Sequence, residues 1–309
     1  MNTWYRAAAL TAIASAVLVA SSSASLAAVI VALPGPGTPL QDAVDSAAPG
    51  DTVQLITIDG VGARYFETVA VDKPITLRGS CVSPAEILGR CDAPIALNIL
   101  SDDVSVTCVH VSGGSDTTIN VDGRTHVIFD RVTASGPPPG LGCGGGRIGI
   151  RVAASTDVKV SRCSVPNPAT TAAGYAGAGI QLQLIPADAK VELLRTSSAG
   201  SEVGVLIEDS TDTPEGRTGI QLKKNRIASN RIGIQLLGAD GVRIDRNTVN
   251  DPLGTSPIAG IVADADSSEN RLIGNTVSGS TMDVVDNGTS NCWHRTTFVT
   301  GSIPAGGCP

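Results

Sequence analysis

Residues 232–250 read IGIQLLGADGVRIDRNTVN. Two short apolar alternations, Ile234-Gln235-Leu236 and Val242-Arg243-Ile244, are separated by Gly238 and Gly241, and Asn247 and Val249 follow. Apolar residues at every second position describe a strand with one face inward, and the glycines and aspartate between them describe turns. Strands this short cannot hide an apolar face alone, so the stretch makes physical sense as one copy among several.

The chain supplies the copies. GIRV begins at Gly149, GIQL at Gly179, GVLI at Gly204, GIQL at Gly233 and GIVA at Gly260. ALNI at Ala96, TINV at Thr118 and DVVD at Asp283 extend the series less cleanly, with steps of 22 to 31 residues. A second column is an octet: VSVTCVHV from Val104, VIFDRVTA from Val127, VKVSRCSV from Val158 and VELLRTSS from Val191. IQLKKNRI from Ile220, VRIDRNTV from Val242 and NRLIGNTV from Asn270 continue it. Its sixth place ends in Asn225, Asn247 and Asn275, and its fifth holds Arg131, Arg162, Arg195, Lys224 and Arg246.

Each unit therefore carries three short strands. Stacked as parallel strands about 4.8 Å apart, the copies bury a continuous core, and an aligned Asn can donate and accept along the stack. Separate βαβ units need crossover helices of about ten or more residues, and no amphipathic helix lies between these strands. One helix is expected, over TPLQDAVDSAAPGD, with Pro39 in its first turn and Leu40, Ala43, Val44 and Ala47 on one face. It would cap the open end of the stack over about residues 39–50. About nine coils then fill roughly 51–290, and a tail spans 291–309. The fold class is all-β: a single-stranded right-handed parallel β-helix with an N-terminal helical cap.

Composition narrows the function. Hydrophobic residues make up 42% of 309, which excludes a disordered chain, and 35 glycines beside 3% aromatics imply tight turns around an aliphatic core. A net charge of −7 argues against nucleic acid or an anionic membrane as the main partner. Residues 1–27 carry the marks of a signal peptide, with cleavage before Ala28, so the mature chain is expected to be secreted or periplasmic, without a membrane span, and monomeric. Seven cysteines fit an oxidising compartment. Cys81 with Cys91, and Cys292 with Cys308, flank short loops and are expected as disulfides. Cys108, Cys143 and Cys163 remain, and at least one of them is expected as a buried free thiol.

LQDAVDSAAPGDTVQL, KPITLRG, NRIASNRIGIQL and IDRNTV resemble the right-handed parallel β-helix proteins of the pectate-lyase-like superfamily. The tail SNCWHRTTFVTGSIPAGGC is similar to tails of secreted bacterial β-helix repeat proteins of unassigned activity. The resemblance covers about residues 39–309 and implies a sugar groove on the first sheet. The outward positions there are Asn120, Arg151, Gln181, Leu206, Gln235 and Val262, and two residues on Asp122, Ala153, Gln183, Glu208, Leu237 and Asp264. The substrate-binding set is expected to be Asn120, Asp122, Arg151, Gln181, Gln183, Glu208 and Gln235, with a polysaccharide as partner.

Catalytic assignments are weaker. Glu208 is the best single acid or base, and Asp264 and Arg151 are further candidates. Glu208 and Asp264 sit two coils apart, about 9–10 Å by strand spacing, at the edge of the inverting-glycosidase range. The Asn-Thr-Asp and Gly-His-Gly motifs of polygalacturonases, the lyase motifs and the epimerase Asp-Pro-His are absent. A lyase, hydrolase or epimerase stands against a non-catalytic binding scaffold. No cofactor is expected. Ca²⁺ at DADSSEN, from Asp264, is the weaker alternative to a plain turn. His110, His126 and His294 are scattered and read as surface residues. The basic fifth column reads as a solvated edge compensated by Asp130 and Asp245.

Overall fold

The computed structural model describes residues 27–137, 148–166, 170–171, 174–175, 177–187, 189–208, 219–250 and 258–303. The expected signal peptide, residues 1–26 of it, and parts of the long loops lie outside these. Three parallel sheets of ten, eleven and nine strands run the length of the molecule. One coil shows the plan. Val203–Glu208 lies in the first sheet, Gly219–Lys223 in the second and Arg226–Ala228 in the third, and Ile232–Leu237 returns to the first. Each strand pairs in parallel with its counterpart one coil on, as Val205 with Ile234 and Ile207 with Leu236.

The rhyme in the sequence is the register of the stack. Ile119, Ile150, Ile180, Val205, Ile234 and Ile261 form one interior file, and all are buried. The recurring glycine before this file has a spatial cause. A Cβ on Gly233 would stand 2.3 Å from Val249 Cγ1, and one on Gly260 the same distance from Val277 Cγ1. At this corner the third sheet's inward side chain fills the room a side chain would need.

The fifth place of the octet turns the chain from the second sheet to the third. Arg131, Arg162, Arg195, Lys224 and Arg246 all have φ between 52° and 57°. That left-handed step aims the next backbone N–H along the stack, and the Asn column receives it. Asn225 N–H donates to Asn247 Oδ1 at 2.9 Å, and Asn247 N–H to Asn275 Oδ1 at 2.9 Å. The amides also bond to each other, Asn225 Nδ2 to Asn247 Oδ1 at 2.9 Å and Asn247 Nδ2 to Asn275 Oδ1 at 3.1 Å. A second ladder, not expected from the sequence, joins the first and second sheets. Val242 N–H donates to Asn270 Oδ1 at 2.8 Å and Asn270 N–H to Asn291 Oδ1 at 3.0 Å.

The N-terminal end is closed by the helix Pro39–Ser46, whose Leu40, Ala43 and Val44 are buried. Thr38 makes no side-chain cap. The buried carboxylate of Glu67 does that work, accepting from Leu40 N–H at 2.9 Å and Gln41 N–H at 2.8 Å. A strand not expected from the sequence, Val29–Ala32, precedes the helix and pairs with Thr52–Leu55.

The disulfide expectation is corrected. Cys81 bonds Cys108, with Cα atoms 4.7 Å apart, and not Cys91. Arg78 stacks on Thr107, so the segment after Arg78 lies beside Cys108 on the next coil. In a stack, neighbours in space are a full coil apart in sequence, 27 residues here. Cys91 and Cys292 are also disulfide-bonded. Cys308, the expected partner of Cys292, and Cys143 lie outside the described residues. Cys163 is free and buried, and burial pushes its thiol up to about 12.

Candidate functional site on the first sheet

Along the first sheet the outward file reads Asn98, Asn120, Arg151, Gln181, Leu206, Gln235 and Val262, each in register with the next. A parallel file two residues on reads Asp122, Ala153, Gln183, Glu208 and Leu237. Strand alternation puts both files on the outer face because Ile119, Val121 and their counterparts point in. The expected binding residues Asn120, Asp122, Arg151, Gln181, Gln183, Glu208 and Gln235 therefore share one face.

The side chains in this face are linked across coils. Asn120 Nδ2 donates to Asn98 Oδ1 at 3.0 Å. Arg151 Nη2 reaches diagonally to Gln183 Oε1 at 2.9 Å, and Gln181 Nε2 donates to Glu208 Oε2 at 2.9 Å. Two buried acceptors are left over, Asn120 Oδ1 and Gln181 Oε1. They belong to the register neighbours of Arg151 on either side. The result is a rigid strip with a guanidinium at its centre, acceptors flanking it and a carboxylate at one end. Asp122 is exposed at the strand end and Gln235 is half-buried beyond Leu206.

The expected carboxylates Glu208 and Asp264 keep the two-coil spacing, since Glu208 is in register with Leu237 and Leu236 with Ala263, the residue before Asp264. On the adjoining coils Glu208's register neighbours are Gln183 and Leu237. Asp264 follows the strand Ala259–Ala263, and its carboxylate accepts from Gly238 N–H at 3.1 Å and from the Ser267 hydroxyl at 2.6 Å. These contacts hold the DADSSEN turn together. Among the described residues, no three His, Cys, Asp or Glu side chains gather as a metal site.

The histidines stay apart. His126 is exposed between Asp103 and Asp157, and His294 is exposed near the tail. His110 Nε2 meets Ser135 Oγ at 2.9 Å, and Glu86 lies 3.8 Å from His110 Nδ1. This Ser-His-Glu sequence across coils was not read from the sequence, since its members are 24 and 25 residues apart. The 3.8 Å gap exceeds a hydrogen bond, and Glu86 is engaged by Arg64 at 2.9 Å and Ser112 at 3.0 Å. The group works as a polar contact on the third sheet.

Comparison with known proteins agrees with this architecture. A family model described as "Right handed beta helix region" matches residues 96–277. No curated protein sequence matches the chain. Among solved structures, an alginate lyase from Paenibacillus sp. str. FPU-7 superposes with a TM-score of 0.52 at 17% identity, covering 87% of this chain and 95% of that one. The Azotobacter vinelandii mannuronan C-5 epimerase AlgE4 A-module gives 0.49 at 13%, covering 90% and 100%. PfbA, a surface adhesin of Streptococcus pneumoniae, gives 0.48 at 12%, covering 90% and 93%. Among the described residues, no helix is long and apolar enough to cross a membrane. The family match covers more than half of the 309 residues, and the sheets and ladders are those of a parallel β-helix: the chain belongs to the right-handed β-helix family.

Proposed function

We propose that this protein binds or processes extracellular or cell-surface polysaccharide through the strip on its first sheet. One observation carries the reading: Arg151 sits between two buried, unpartnered amide oxygens, Asn120 Oδ1 and Gln181 Oε1, on a rigid sheet. Amide, guanidinium and carboxylate groups about 4.8 Å apart on successive strands suit a linear chain of hydroxyl-rich units. Arg151 is the cation of the strip and gives it a preference for acidic sugars. The ligand class comes from this chemistry and not from the likeness to an alginate lyase, which concerns the fold. The Cys81–Cys108 bond supports action in an oxidising compartment, outside the cytoplasm.

Binding without hydrolysis is the second reading. It is favoured by the engagement of Asp264 in its own turn, where its carboxylate already accepts from Gly238 N–H and the Ser267 hydroxyl. A panel of polysaccharides, assayed for new reducing ends and for unsaturated products alongside direct binding, separates the two. Product formation abolished by Glu208→Gln supports processing. Binding with no product supports the scaffold. Neither binding nor product on any polysaccharide rejects both.

A further inference from the structure

The acids flanking the basic fifth column engage some of its cations and leave others. Asp130 lies beside Arg131 in sequence, but its carboxylate grips Arg162 on the next coil, Nε to Oδ1 at 2.8 Å and Nη2 to Oδ2 at 2.6 Å. Asp245 lies 3.6 Å from both Arg243 and Arg246. The two acids therefore serve the ends of the column. Between them Arg195, Lys223 and Lys224 make no ion pair among the described residues. Arg195 and Lys224 are exposed at consecutive left-handed turns, and Lys223 stands beside Lys224 at the end of the second-sheet strand.

These residues line a groove of about 370 Å³ on the outer face of the second sheet, together with Lys159 and Arg162. Among the described residues one carboxylate, Glu192, joins five cations there, and it is 3.4 Å from Lys190. Gln221 and Ser161 add hydrogen-bonding groups and Leu194 an apolar floor. A patch this basic stands out on a chain of net charge −7. The excess of cations over carboxylates among these residues gives the groove a positive potential that attracts anions.

We propose that this groove is a second binding site, distinct from the first-sheet strip, and that it takes a linear acidic polysaccharide. The cations rise one coil at a time along a straight line, which matches a polymer with an anionic group on each of its units. Among the described residues no aromatic side chain lines the groove, so stacking of nucleobases has no platform there. The disulfides also place the chain where glycans, and not nucleic acids, are the abundant polyanions.

The test uses the purified chain in calorimetric titration with a polyuronate, a sulfated glycan and a neutral glucan at low and high salt. Single-stranded DNA of matched charge is the fourth ligand. The Arg195→Ala/Lys224→Ala double variant is compared with Arg151→Ala/Gln181→Ala, with unfolding midpoints confirming that both fold. Expected is salt-sensitive binding of an acidic glycan in two components: Arg195→Ala/Lys224→Ala weakens one on the order of tenfold, and Arg151→Ala/Gln181→Ala weakens only the other. The polyuronate and sulfated arms tell carboxylate from sulfate ligands. Three results overturn the proposal: no acidic glycan bound, binding abolished by Arg151→Ala/Gln181→Ala but not by the basic pair, or DNA bound as tightly as the glycans. The second of these leaves the first-sheet reading standing, so the two claims fail separately.

Discussion

Replacing Asn247 by Ala cuts the ladder at its middle. Asn247 is 1% exposed and makes four side-chain hydrogen bonds. Its Oδ1 accepts from Asn225 N–H and Asn225 Nδ2, each at 2.9 Å, and its Nδ2 donates to Leu222 O at 3.0 Å and Asn275 Oδ1 at 3.1 Å. After truncation Asn225 Nδ2 keeps Leu193 O, and Asn275 Oδ1 keeps the backbone N–H of residue 247. Asn225 N–H keeps nothing, which costs about 1–3 kcal/mol for a buried donor. Leu222 O loses its amide donor, a further ~1 kcal/mol. The expected loss is about 2–4 kcal/mol. Urea unfolding followed by far-UV circular dichroism and by Trp fluorescence measures it, and coincident curves license a single free energy. Asn247→Asp fills the same space but sets carboxylate oxygen against Leu222 O and Asn275 Oδ1, so it is also destabilising and excludes a cavity as the cause. Arg226→Ala, exposed one residue beyond Asn225, should be neutral. An Asn247→Ala chain within about 0.5 kcal/mol of the parent refutes the ladder's energetic role.

Three further outcomes follow from the same structure. Non-reducing peptide mapping should recover Cys81 joined to Cys108, and Cys108→Ser should cost about 3.5 kcal/mol by closure of a 27-residue loop; recovery of Cys81 with Cys91 contradicts the stacking argument. Cys163 should resist a thiol reagent at pH 8 in the native chain and react on unfolding, because burial pushes it up to about 12; rapid native labelling contradicts its seat in the core. Asp51 is held below the ordinary 3.8 by the N–H groups of Ala28 and Ala48. A lowered native value means the unfolded chain binds the proton first, so Asp51 stabilises above about pH 4 and loses that contribution as pH falls through its native value. Asp51→Asn should therefore flatten the midpoint's fall below about pH 4, and an unchanged acid limb refutes this role of Asp51.

The parts of the fold that repeat were legible in the sequence. The Gly-Ile-x-Leu rhyme is an interior file preceded by a corner with no room for a Cβ. The column of Asn225, Asn247 and Asn275 is the ladder it was expected to be. What repeats only twice was harder to read. Asn270 and Asn291 hold place one of their octets, and extending the series to NCWHRTTF would have shown the second ladder. Contacts made once per molecule left no periodic trace. Glu67 caps a helix 26 residues upstream, and Cys81 reaches one coil on to Cys108. The charge reading held for the two acids, which do pair with column cations, but not for the partner of Asp130. Sequence adjacency pairs Asp130 with Arg131, whereas the left-handed turn brings Arg162 of the next coil onto it. The shared face of Asn120, Arg151 and Gln181 followed from strand alternation alone. The cross-coil bonds that leave two oxygens open depend on side-chain directions that no pattern encodes.

The claim that Asn120, Arg151 and Gln181 form a carbohydrate site is tested most directly by a glycan array probed with the purified chain, Arg151→Ala and Gln181→Ala. The account predicts that at least one polysaccharide binds and that each substitution weakens it, by on the order of tenfold for the loss of the central guanidinium. Binding to no polysaccharide, or binding unchanged in both variants, contradicts it.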